Sequence, residues 1–358
     1  RWTAMKLVQF VQQFGVRGVG VVDGDEVVNL TATFAQYETT LSLALDAIQR
    51  NLNLTEMLTT LLPQCDTRIS YEKLWDGEVG SDLHLLPPLD HRESARTFIT
   101  GTGLTHTGSM ESRDQMHAEE SVQEESEHSQ AASEPQTDSA KMFQMGIDGG
   151  KPAEGLRGTA PEWFYKGNGL CLRGHRAALD LPSFALDGGE EPEFVGCYVI
   201  GPDGTPYRIG FALGNEWSDH ATEKINYLYL APSKIRTCSV GPELVVGESF
   251  EDLNVQVKVS RQNETIYDSG HLKSGQQYMC HSLENCEDHH FKYPLHRQAG
   301  DVHLHFFGTS KLSYGNRDWK YQAGDLIEVS SDGFSRSLVN RVEETNPEAA
   351  KPVRVNAL

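Results

Sequence analysis

The chain has 358 residues, 38% of them hydrophobic and 23% charged, and a formal net charge of −20. That length suits one large domain or two and is ample for a buried core. The acidity argues against nucleic acid or an anionic membrane surface as a partner, and no apolar run approaches the roughly 20 residues that a bilayer span needs.

Residues 5–30 read as short strands broken by glycines and by the turn Asp23-Gly24-Asp25. Leu41, Ala44, Leu45, Ile48 and Leu52 keep helical spacing, and a second short helix is expected at 55–62. Pro87 and Pro88 mark an extended linker. Residues 1–90 are therefore expected to form a small α+β domain and 91–358 the main domain. The stretch 114–140 has no Lys or Arg and is rich in Glu, Ser and Gln, the composition of a solvated flexible insert, with a lid as the other reading. From residue 160 onward, runs such as CYVIG, YRIGFAL, LNVQVKV and VHLHFFG alternate with Gly, Pro, Asp and Asn. Helical patterns intervene mainly near 219–231 and 281–291. The expected class is α+β, mostly β, a sandwich-like or barrel-like roll and not a doubly wound parallel sheet. The six cysteines are scattered without a Cys-x-x-Cys pair, and no secretory pattern stands at the first residues, so reduced thiols and a cytoplasmic location are expected.

The segment ALDGGEEPEFVGCYVIGPDGTPYRIGFALGNEWSDH, 185–220, carries the chemistry. It reads as two strands around Gly201-Pro202-Asp203-Gly204, yet Glu190, Glu191 and Glu193 stand at the mouth of the first strand and Glu216 at the end of the second. Alternate strand residues share a face and rise about 3.3 Å each, so Glu191 and Glu193 lie on one face roughly 7 Å apart and Glu190 points the other way. With Pro202 and Asp203 as the two central turn residues, Glu191 falls opposite Gly214 and Glu193 opposite Ala212. Glu216 then joins Glu191 and Glu193 on one face, and a slip of one residue would remove it. Three carboxylates that close need a cation or protons between them, and all-oxygen ligation suits Mg²⁺, Mn²⁺ or Ca²⁺. The alternative is a solvated acidic loop.

These residues, in this order, resemble the fumarylacetoacetate hydrolase superfamily. Glu191-Pro192-Glu193, a strand ending in Gly, and Asn215-Glu216-Trp217-Ser218 resemble its Glu-x-Glu and Asn-Asp-x-Ser metal motifs, with Glu216 in place of Asp. PEWFYKG (161–167), the segment bearing Lys234 and ending in Gly241-Pro242, Gly308-Thr309, and the closing AGDLIEVSSDGFSRSLVNRV resemble further marks of the family. The likeness spans about 98–342. It looks closest to a sugar-acid branch associated with 2-keto-3-deoxy-L-arabonate dehydratase.

The resemblance implies a mixed β-roll, a homodimer, and Glu191, Glu193 and Glu216 as ligands of Mg²⁺ or a similar cation. A 2-oxo acid would chelate that cation, which polarises the ketone and stabilises the enolate left when a C3 proton departs. Lys234 would stabilise the oxyanion or carry a proton, and His106, in GTGLTHTGS, would be the general acid/base. Lys166, Thr309 and Arg113 are candidate substrate contacts. Dehydration of a 2-keto-3-deoxy sugar acid is the expected reaction. C–C hydrolysis of an acylpyruvate or other diketo acid is the alternative, and a sugar-acid binding protein without catalysis is the reading from another class, prompted by Ser109 three residues after His106. His303 and His305, which share a strand face, offer a rival metal site of cupin type.

Overall fold

A computed structural model of the chain describes residues 4–108, 110, 111, 137–247, 249–345 and 351–358. Its strands are β1 (Lys6–Gln12), β2 (Val16–Asp23), β3 (Glu26–Asn29), β4 (Arg68–Ser70), β5 (His84–Leu86), β6 (Thr97–Gly103), β7 (Glu162–Asn168), β8 (Leu172–Arg173) and β9 (Ala178–Leu181). They continue with β10 (Pro192–Ile200), β11 (Pro206–Asn215), β12 (Cys238–Val246), β13 (Leu253–Arg261), β14 (Glu264–Asp268), β15 (Leu272–Ser274), β16 (Val302–Phe306), β17 (Leu326–Ser330) and β18 (Leu338–Glu344). Among the described residues they form a large sheet of order β4-β3-β2-β1-β12-β11-β10-β16-β6-β7, with β5 and β8 on its flanks. A smaller sheet runs β14-β13-β17-β18-β9, with β15 beside β13. The mixed, mostly β architecture is the one expected.

Strand alternation divides the apolar residues between two cores. On β10, Val195, Cys197 and Val199 face one side with Leu304 and Phe306 of β16; helices Thr40–Gln49 and Leu54–Leu61 belong to this core through Leu43, Ala44, Met57 and Leu58. Phe194, Tyr198 and Ile200 face the other side, in one core with Val255 and Val257 of β13 and Ile327 and Val329 of β17. The two helices begin where capping residues allow: Thr39 and Ser42 form one capping box, Asn53 and Glu56 another, each satisfying amide donors that the first turn leaves without partners.

The strands of the first 90 residues join the same large sheet, because β1 pairs antiparallel with β12. Most of the expected insert lies outside the described residues; from Thr137, which caps it, the chain forms a helix at Asp138–Gly149 that the polar composition did not suggest.

The β10–β11 hairpin departs from the expected register at two points. Its turn has three residues, not two: Gly201 N–H donates to Thr205 O and Gly204 sits at φ +83°, a left-handed position suited to glycine. Further on, Cys197 pairs with Gly210 and Tyr198 with Arg208, leaving Ile209 as a bulge. Each irregularity shifts the register by one. Glu193 therefore lies opposite Gly214, not Ala212. Because the sum is even, the expected sharing of a face survives.

Candidate metal centre

At the end of the hairpin, Glu191, Glu193 and Glu216 each offer a carboxylate oxygen, and the three oxygens lie within 4.8 Å of one another. Glu216 N–H donates to Glu191 O at 2.9 Å, which places these two side by side across the strands. All three side chains are buried. The longer Glu216 does reach the group.

Two ammonium groups balance this charge. Lys234, the last residue of the short helix Leu230–Lys234, places Nζ 2.6 Å from Glu191 Oε1 and 2.5 Å from Glu216 Oε2. Lys166 of β7, fully buried, places Nζ 2.6 Å from Glu216 Oε1 and also donates to the carbonyls of Trp217 and Lys234. Its three donors are thus directed at protein acceptors. The hydroxyl of Ser218 donates to Glu216, and Asn215 Oδ1 accepts the N–H of Glu191 at 3.1 Å. Among the described residues no lysine forms an ion pair with Glu193; Gly308 N–H donates to its Oε2 at 2.8 Å.

The electrostatics follow. Burial works against the Glu191 anion, but the Lys234 charge and the His220 contact outweigh it and hold the carboxyl well below its usual range. Burial, then the charges of Glu191 and Glu216, push Glu193 well above that range. Burial also raises Glu216, to about 7, against the opposing pull of Lys166 and Lys234. Three carboxylates meet two ammonium groups, so one negative charge is unmatched. A proton on Glu193 or a divalent cation removes it, and the all-oxygen donor set fits a hard cation. The residues present therefore fit the ion that the sequence implied.

His106 is buried near the same corner. Its Nδ1 lies 2.9 Å from Thr105 Oγ1, which donates to Phe307 O, and Phe307 precedes the Gly308 that holds Glu193. Burial lowers its pKa to about 4, so the imidazole is neutral at physiological pH. Thr309 is buried beside Gly308 and donates to Lys311 O at 3.1 Å. Arg113 lies outside the described residues.

Glu190 was expected to point the other way from Glu191 and Glu193, and it is buried. It does point away from Glu191, as strand alternation requires, but that side is covered by the 313–321 segment. Its carboxylate accepts from Ser313 N–H (2.8 Å), Ser313 Oγ (2.8 Å) and Tyr321 OH (2.6 Å), the satisfaction a buried anion needs. His303 and His305 lie on the sheet face opposite the carboxylates, because their strand partners are Tyr198 and Gly196. Among the described residues, the glutamate triad is the only group of three His, Cys, Asp or Glu side chains whose ligand atoms all lie within 4.8 Å of one another. Sequence reasoning missed His220, whose Nε2 lies 2.7 Å from Glu191 Oε1. The one signal was Ser218-Asp219 before a short polar stretch. Asp219 caps the helix His220–Ile225 and so aims His220 at the site.

No family model matches the chain. A probable 2-keto-3-deoxyxylonate dehydratase of Haloferax volcanii is 27% identical over 139 residues, which are 37% of this chain and 45% of that protein. The match thus spans less than half the length of this curated relative. Among solved structures, a 2-keto-3-deoxy-D-arabinonate dehydratase complexed with magnesium and 2,5-dioxopentanoate superposes with a TM-score of 0.67 at 18% identity, over 95% of this chain and 99% of that one. The fumarylacetoacetate hydrolase of Exiguobacterium antarcticum gives a TM-score of 0.58 at 15% identity, over 96% and 100%. The fold is that of fumarylacetoacetate hydrolase. In this fumarylacetoacetate hydrolase-like frame, β10 carries Glu193 and begins directly after Glu191, β7 supplies Lys166, and β16 leads into Gly308. The last residue of β11 is Asn215, and Glu216 follows it directly.

Proposed function

We propose that the chain is a divalent-cation-dependent lyase that dehydrates a 2-keto-3-deoxy sugar acid. The observation that carries this reading is the buried triad of Glu191, Glu193 and Glu216 with Lys234 against two of its members. Support for the substrate class comes from the dehydratases on both sides of the comparison, one by sequence and one by fold. The glutamates hold the cation, Mg²⁺ by preference, which when bound polarises the ketone of a chelated 2-oxo acid. Lys234, within hydrogen-bond reach of two of the glutamates, is assigned to stabilise developing oxyanion charge at the ketone. His106, neutral at working pH, accepts the C3 proton or returns it to the departing C4 hydroxyl. Thr309 and Arg113 are assigned to the substrate carboxylate or hydroxyls. Lys166 orients Glu216 and is assigned a substrate contact only through it.

We also assign a cytoplasmic homodimer. All six cysteines are free thiols. The edge strand β7 exposes Trp163 and Tyr165, and the adjoining 225–235 segment exposes Ile225, Leu228, Tyr229 and Ile235, an apolar surface suited to a second copy. Among the described residues, no helix is long and apolar enough to cross a membrane. A monomer in sedimentation equilibrium would remove the dimer.

A substrate panel tests the reaction. Turnover of 2-keto-3-deoxy sugar acids is expected, lost in EDTA and restored by Mg²⁺, with acylpyruvates inert. Cleavage of acylpyruvates alone would move the protein to the C–C hydrolases. Binding of sugar acids without product would make it a binding protein.

A further inference from the structure

His220 is placed more tightly than a surface-helix histidine needs to be. Its ring is buried and its Nε2 meets Glu191 Oε1 at 2.7 Å. On one side the ring lies against Gly189, where even a Cβ would fall 2.2 Å from Nδ1, so the close approach requires glycine. On the other, Tyr314 stands edge-on with ring centroids 5.6 Å apart. The backbone carrying the ring is fixed as well. Asp219 caps the helix through Thr222 N–H (3.1 Å), accepts Leu186 N–H at 3.0 Å, and is paired with Arg236 at 2.7 Å. Ser218 N–H donates to Gly189 O at 3.0 Å, tying the two segments together.

The hydrogen-bond inventory places the donor. An ionised carboxylate only accepts, so the proton that joins His220 to Glu191 sits on Nε2. Nδ1 has no partner among the described residues. Glu191 Oε1 thus takes two donors, His220 Nε2–H and the Lys234 ammonium. Both act on the same oxygen.

We propose that His220 is a positioning residue for the cation site: by donating Nε2–H to Oε1 of Glu191, it fixes that carboxylate so that Oε2 is the oxygen the cation takes. The proposal rests on the reading of the triad as a cation site. Outer partners of metal ligands typically change affinity by about 10–100-fold when removed. They do so by orienting the ligand, not by touching the ion.

The test is Mn²⁺ binding by titration calorimetry on the whole protein, with thermal melting to confirm folding. His220→Ala is expected to weaken Mn²⁺ binding by about 10–100-fold. His220→Phe, which fills the volume without donating, is expected to be equally weak. His220→Gln, whose amide can donate to Oε1, is expected to bind within a few-fold of wild type. Wild-type affinity in His220→Ala would overturn the proposal, as would equal affinity in the Phe and Gln variants. Glu193→Gln serves as the reference. If it loses Mn²⁺ while His220→Ala keeps it, the cation site stands and the role of His220 falls. If the wild type binds no Mn²⁺, both fall together.

Discussion

Glu193→Gln is expected to eliminate divalent-cation binding and to lower turnover by roughly a thousand-fold, the upper range for removing a preorganised electrostatic contributor. It is expected to melt at or slightly above the wild-type temperature. The two halves of this result have one cause. Glu193 is the member of the triad with no lysine ion pair among the described residues, and its ionised form is opposed by burial and by Glu191 and Glu216. A neutral isostere relieves that repulsion, and an amide oxygen can still accept the Gly308 N–H. The cation, however, loses the anionic ligand not already engaged by a lysine. Calorimetric titration with Mn²⁺, steady-state kinetics and thermal melting read the three quantities. Metal affinity like that of wild type would show that the ion, if any, sits elsewhere.

Acidification is expected to destabilise the protein steeply from a different region. His290, His296, His303 and His305 form a buried cluster in which His290 Nε2 lies 2.9 Å from His303 Nδ1 and His305 Nδ1 lies 2.7 Å from Thr100 Oγ1. The His290 ring is 4.6 Å from that of His296 and 4.8 Å from that of His305. Burial, reinforced by the neighbouring histidines, holds His303 and His305 at about 3 and His290 well below its ordinary value. In the unfolded chain the same groups take a proton near pH 6.5. Their folded pKa values are depressed, so above about pH 6.5 neither state is protonated and their neutral form costs nothing. As pH falls toward about 3, the unfolded state gains protons that the fold refuses, and stability is lost progressively across that window. Each pKa unit corresponds to about 1.4 kcal/mol, so the shifts of His303 and His305 are already sizeable against a net stability of about 5–15 kcal/mol. Urea unfolding at pH 7.5, 6 and 5 measures the slope. His305→Asn, which keeps a polar partner for Thr100, is expected to flatten it. An unfolding free energy unchanged down to pH 5 would rule the mechanism out.

Much of the fold was readable because the relevant signals are local. The helical spacing of Leu41, Ala44, Leu45 and Ile48 has its counterpart in Thr40–Gln49, and the strand-like runs after residue 160 in β10, β11, β13 and β16. The order of strands was not readable. The parallel pairing of β6 with β16 and the joining of β1 to β12 unite segments roughly 200 residues apart in the chain, and no turn chemistry announces them. At the candidate site, the shared face of the three carboxylates was legible from the two-residue strand period, whereas the register was not, because Ile209 carries no mark of a bulge. The burial of Glu190 was not legible for a related reason. Alternation says which way a side chain points, but not that Ser313 and Tyr321 arrive to cover it. His220 escaped because its contact with Glu191 depends on the path of the chain through Asp219, fixed by the distant Arg236.

Length changes in the β10–β11 hairpin are admissible only in pairs. The third turn residue and the unpaired Ile209 each add one to β11, and together they leave its facing intact. Loss of either one alone would reverse every side chain beyond it, putting Leu213 on the carboxylate side and swinging Glu216 into the aromatic core. Turn and bulge are therefore a matched set, to be inherited, grafted or redesigned as one unit. A homologue lacking one of them should carry a compensating irregularity elsewhere in the same hairpin, or should no longer place its third carboxylate at this site.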